Sequence, residues 1–184
     1  ARQIKPYKTS IFDKITFYVD PQYANGVSKS ILEFDPEKEI LMVAIADCKE
    51  RKRIVDKLPK STKYLTFIHP TAQIMDEGIE IGEGSFIGAN SILTTNIKLG
   101  KHSILNRGNH IGHDTKIGDY FSAMPGAIIS GNVTIGDGVY IGTNASIKEK
   151  INITNNVVIG LNSGVINNID QKGTYVGLPA KKIK

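Results

Sequence analysis

His113 is followed directly by Asp114. A carboxylate beside an imidazole orients the ring and favours one tautomer. That is what a general base needs to take a proton from an amine or hydroxyl attacking a thioester. Two more histidines, His102 and His110, lie just upstream. Three histidines suit Zn²⁺ chemically, but His110 and His113 take different places in the repeat described below and should point in different directions, so no metal is assigned. The single Cys48 excludes an internal disulfide framework and sites built from several thiolates. No Ser-His-Asp order or cysteine nucleophile stands out, so covalent catalysis has little support.

The elements that must position these residues are written into residues 79–168, which divide without remainder into fifteen six-residue units. The third place of each unit is Ile, Leu or Val fourteen times, with Ala123 the exception, and the sixth place is Asn or Gly in eleven units. A period of six fits neither a helix nor a simple alternating strand. It fits short strands joined by sharp corners, each strand sending one aliphatic residue inward. The corners use backbone with positive φ, which Gly, Asn and Asp tolerate best. Fixed repetition of this kind is the signature of a solenoid, here a parallel β-helix with three units to a triangular turn. Residues eighteen apart therefore stack in columns.

The preceding residues have no such phase. Strand patterns run through 14–20 (KITFYVD), 39–47 (EILMVAIAD, a strand buried on both faces) and 63–68 (KYLTFI). Between the last two lies DCKERKRIVDKL, a helix with Ile54, Val55 and Leu58 on its apolar side and the charged run 49–53 on its wet face. This order predicts a small α/β module. The division read from the sequence is 1–66 for that module, 67–168 for the β-helix, and 169–184 for a C-terminal arm leaving the coil. Asp20 and Asp47 fall at carboxyl ends of expected strands, where open α/β sheets bind ligands; Asp47 also stands where it would cap the helix, and Asp20 where it would shape the turn before Pro21. The chain has 184 residues and a formal charge of +5, which favours anionic small molecules. No basic cluster interleaves with aromatics, so no nucleic-acid partner is expected. The longest apolar run is too short for a bilayer and no signal-peptide pattern opens the chain, so the expectation is a cytoplasmic protein without a membrane partner.

The run NRGNHIGHDTKIGD, then GNVTIGDGVYIGTNASI, and the ending KGTYVGLPAKKI resemble the bacterial NeuD/PglD-type sugar acyltransferases, strongly from His69 to Ile183 and loosely before that. The resemblance implies a left-handed β-helix acetyltransferase, a homotrimer with active sites between subunits, using acetyl-CoA and no metal to acetylate a nucleotide-linked amino sugar. A 4-amino-4,6-dideoxy hexose destined for a surface glycan is the acceptor expected. It assigns the base to His113 with Asp114 as its partner, the oxyanion-stabilising amide to Gly131, the coenzyme groove to Ser122, Thr143, Gly160 and Leu161, and substrate contact to Asn106. Asp20 matches the family's nucleotide-binding acid. The family's glycine-histidine loop is absent, and the opening ARQI resembles the sequence just after it. Alternatives are O-acetylation of sialic acid or another sugar, a zinc enzyme of the γ-carbonic-anhydrase kind, and a non-catalytic trimeric scaffold.

Overall fold

The computed structural model describes residues 14–25 and 28–184; the opening ARQI lies outside them. Two compact units divide between Glu39 and Ile40. In the first, Tyr18–Val19 pairs in parallel with Lys29–Ser30. The Tyr18 hydroxyl donates to the Glu39 carboxylate, and burial followed by that carboxylate pushes the Tyr18 pKa up to about 12.

The second unit is a left-handed parallel β-helix, preceded by one helix. Its first face carries five strands, Glu80–Ile81, Lys98–Leu99, Lys116–Ile117, Thr134–Ile135 and Asn152–Ile153. The second face runs from Phe67–Ile68 through Phe86–Ile87, Ile104–Leu105, Ser122–Ala123 and Tyr140–Ile141 to Val157–Ile159. The third runs from Gln73–Ile74 through Ile92–Leu93, His110–Ile111, Ile128–Ile129 and Ser146–Ile147 to Gly164–Val165. Register is eighteen residues from Glu80 to Val165, as in Lys98↔Lys116 and His110↔Ile128, and nineteen in the first turn, as in Phe67↔Phe86 and Gln73↔Ile92.

The corners follow the sixth-place rule without a break: every sixth residue from Gly84 to Asn162 has positive φ. The interior differs from the expectation of one inward residue per strand. The first place of each unit also points inward, since it lies two residues from the third. It is small and polar at Ser85, Ser91, Ser103, Asn109, Thr115 and Ser163 and apolar at Ile97, Phe121, Val133, Val139 and Ile151, all buried. The hydroxyls of Ser85, Ser91 and Ser103 donate to corner carbonyls, as in Ser91 Oγ to Asn106 O at 3.0 Å. Phe121 and Ala123 are both fully buried in the core, so this unit pairs the bulkiest first-place residue with the smallest third-place one.

The strand expected over 39–47 pairs only at Ile40–Leu41, with Lys63–Tyr64 as its parallel partner. The helix, α1, spans Cys48–Lys57. Its charged run is not all wet. Arg51 is fully buried, with its guanidinium donating to the carbonyls of Ile45, His102 (2.7 Å), Tyr120 (2.8 Å) and Phe121 (2.9 Å) and to Ser122 Oγ (3.0 Å). Five donors in a rigid fork suit such a cluster of carbonyls. Arg51 thereby pins α1 to the corner between first and second faces, and burial pushes its pKa down. The C-terminal residues, expected to leave the coil, stay on it: Gly173–Val176 extends the second face in parallel and Lys181–Lys182 folds back antiparallel. Among the described residues no helix is long and apolar enough to cross a membrane.

Candidate active site

The corner between third and first faces carries 112–114 in one layer and 130–132 in the next. Backbone bonds lock these layers to their neighbours: Asn132 N–H donates to His113 O at 2.7 Å, and Asp114 N–H to Thr95 O at 3.1 Å. Asp114 holds φ 59°, a conformation that Asp tolerates better than most residues. It turns the carboxylate back on its neighbour, so that Asp114 Oδ2 lies 2.7 Å from His113 Nδ1. An ionised carboxylate can only accept, so Nδ1 carries the proton and Nε2 keeps its lone pair. The hydrogen bonds from His113 and then Asn96 hold the Asp114 carboxyl below the usual carboxylate range.

His113 Nε2 faces Gly131, one turn on. A Cβ built at Gly131 would meet that nitrogen at 2.5 Å, so only glycine leaves room for the ring in this place. Gly131 lies buried under the imidazole, and among the described residues its N–H has no protein acceptor. A Cβ at Gly112 would stand 2.5 Å from the Gly131 nitrogen, so two glycines make the close approach possible. The corner thus sets a carboxylate-oriented imidazole beside an amide donor that no protein group among the described residues uses. Such an arrangement can take a proton and stabilise an oxyanion.

The other residues singled out from the sequence lie elsewhere. Asn106, Thr143, Gly160 and Leu161 stand along the corner between second and third faces, a different edge of the prism from His113. Thr143 and Leu161 are exposed there, while the Gly160 N–H is used by Tyr175 O at 2.8 Å. Ser122 does not join them. It is fully buried, accepting from Arg51 and donating to Ala46 O at 2.7 Å, so its hydroxyl belongs to the seat of α1 and not to a coenzyme groove. Asp47 is exposed and caps α1, accepting from Glu50 N–H at 2.8 Å. Asp20 caps nothing with its side chain.

The histidines do not converge. His102 is buried, stacked on Tyr120 and edge-on to Tyr64, and burial pushes its pKa down. His110 points outward from the third face. Among the described residues no group of three His, Cys, Asp or Glu side chains gathers as metal ligands. Two residues of consequence carried no sequence signal as side chains: Arg51, which read as a solvated helix charge, and Asn96, which read only as a corner residue. Counting eighteen back from Asp114 finds the second.

A family model described as bacterial transferase hexapeptide (six repeats) matches residues 114–149. No curated protein matches the sequence. Among solved structures, the acetyltransferase domain of PglB from Neisseria gonorrhoeae FA1090 is 26% identical, with a TM-score of 0.87 over 95% of this chain and 89% of that one. WeeI from Acinetobacter baumannii AYE is 30% identical, with a TM-score of 0.82 over 91% of this chain and 85% of that one. PerB from Caulobacter crescentus, in complex with CoA and GDP-perosamine, is 24% identical and shares the fold, with a TM-score of 0.73 over 78% of this chain and 69% of that one. With the repeat, the corner geometry and these likenesses together, the chain belongs to the NeuD/PglD-type sugar acyltransferases, acetyltransferases built on a left-handed β-helix of hexapeptide repeats.

Proposed function

We propose that this acetyltransferase transfers the acetyl group of acetyl-CoA to the amine of a nucleotide-linked amino sugar, with His113 as the general base. The observation that carries the reading is the His113–Asp114 pair, with Nδ1 bonded to the carboxylate at 2.7 Å and Nε2 over Gly131. As the sugar amine attacks the thioester carbonyl, His113 Nε2 accepts its proton and Asp114 stabilises the imidazolium; the C–S bond then breaks, the acetyl group stays on the amine, and coenzyme A leaves as the thiol with the proton from His113. The Gly131 N–H donates to the developing oxyanion. The coenzyme supplies the activated acyl group; the chain's residues orient the acceptor, hold the proton and stabilise charge.

The proposed unit is a homotrimer. The first face points Glu80, Lys98, Lys116, Thr134 and Asn152 outward and is polar. The second is covered at Ser122 and Val139 by residues 46–51. The third points Ile92, His110, Ile128 and Ser146 outward, with Ile128 46% exposed and, on its flanking corners, Leu161 and Ile166 also exposed. Three copies packed through their third faces set one subunit's 106/143/161 edge against the next subunit's His113 edge. That completes a site which one chain holds only in halves. Asp20, whose side chain caps nothing, is the proposed contact to the nucleotide-sugar in the N-terminal module.

The test is thiol release from acetyl-CoA against UDP-, GDP- and dTDP-linked amino sugars, with His113→Ala alongside. Turnover on one acceptor, reduced ~10²–10⁴-fold in the variant, is expected for loss of a general base. Near-normal turnover in a folded His113→Ala protein would overturn the reading.

A further inference from the structure

The carboxylate that holds His113 is itself held from the layer below. Asp114 uses Oδ2 for the imidazole, and its other oxygen, Oδ1, accepts from Asn96 Nδ2 at 2.6 Å. Asn96 stands on the same corner eighteen residues earlier, with φ 50°. Because a carboxylate only accepts, it is the carboxamide nitrogen that faces it. The Asn96 backbone is fixed in turn, its N–H donating to Asp76 Oδ2 at 3.0 Å. Asp76 is clamped further by the Thr95 hydroxyl and by Gly78 N–H at 2.9 Å. The run Asp76, Asn96, Asp114, His113 thus climbs the corner, layer by layer.

Corner geometry alone does not call for this bond. Asn132, Asn144, Asn156 and Asn162 hold the same left-handed backbone. Yet among the described residues Asn96 is the sixth-place asparagine whose side chain donates to another side chain. Asp114 also has an alternative that needs suppressing: its side chain is 44% exposed, and water competes for both oxygens.

We propose that Asn96 is a positioning residue for acyl transfer, occupying Asp114 Oδ1 so that the carboxylate stays turned to His113 Nδ1 and the ring stays over Gly131. This rests on the proposed role of His113. Asn96 touches no reacting atom; it acts through Asp114.

Asn96→Gly is the informative variant, because glycine takes φ 50° without strain and already serves at sixth places in Gly108 and Gly126. Asn96→Asp keeps the shape but removes the donor and sets like charges together. In the full chain, Asn96→Gly is expected to lower kcat about ten-fold, as loss of an outer hydrogen-bond partner does, with KM little changed. In ¹³C NMR the Asp114 carboxyl should titrate closer to the ordinary range, and in ¹⁵N NMR His113 should lose its single Nδ1–H tautomer. Asn96→Asp should lose more activity, whereas Asn156→Gly, on another corner, should keep the wild-type kcat. Wild-type kcat and an unchanged Asp114 titration in Asn96→Gly, with His113→Ala still inactive, would overturn the inference and leave the acyl-transfer reading standing. Full activity in His113→Ala would overturn that reading instead.

Discussion

Replacing Gly131 by Ala probes the site with a single methyl group. The added carbon would lie 2.5 Å from His113 Nε2, 2.7 Å from Cε1 and 2.9 Å from Cδ2. Non-bonded heavy atoms settle at ~3.5 Å or more, so the ring has to retreat by about 1 Å. The backbone itself accepts alanine, since Gly131 is not among the glycines with positive φ. The ring is the part free to yield, because His113 is 56% exposed. Stability should therefore change little while the base leaves its place. A misplacement of about 1 Å costs on the order of 10²-fold in rate, or about 2.7 kcal/mol of transition-state stabilisation. Steady-state thiol release should show the loss in kcat, with the thermal midpoint near wild type and coenzyme binding retained. A folded Gly131→Ala protein with wild-type kcat would refute the claim that Nε2 works from its position over residue 131.

Two further perturbations test the scaffold. Arg51→Leu strips the carbonyls of Ile45, His102 and Tyr120 of their side-chain donor, while Phe121 O keeps the Ile104 N–H, and should lower the unfolding free energy by about 3–5 kcal/mol in urea titrations. A loss below about 1 kcal/mol would mean the guanidinium does not hold α1 to the coil. Asp76 has its carboxyl lowered to about 2, chiefly by the Thr95 hydroxyl and then by the Gly78 and Asn96 amides. A depressed carboxyl contributes stability above its unfolded pKa, near 4, and loses it as pH falls toward about 2. The gap in urea midpoint between wild type and Asp76→Asn should be open at pH 6 and close toward pH 2; a gap independent of pH would refute the assignment.

The β-helix was legible because its rule is local and repeated: one aliphatic place, one corner place, period six. The His113–Asp114 pair was legible because both partners are adjacent in sequence. What escaped has a common cause. Arg51 has the composition of a surface helix charge, and its burial depends on carbonyls at 102, 120 and 121 that no helical pattern announces. Ser122 occupies an outward place on its strand, and only the docking of residues 46–51 on the second face closes it off. The second inward column was masked by its chemistry, because Ser85, Ser91, Ser103, Asn109 and Thr115 look polar until each is paired within the coil. Asn96 carried one signal, for backbone conformation, and that signal hid its second use.

The eighteen-residue register also determines how this chain can change in length. Insertion of one whole turn at a corner beyond Gly131 returns every column to its edge and lengthens the prism without touching His113. Insertion of a single six-residue unit between Asp114 and Pro125 rotates everything downstream by one edge. Pro125 would then stack on His113 in place of Gly131, and proline has no N–H to offer. The coil can therefore lengthen within its upper layers by any number of turns, but the interval between base and amide is fixed at one.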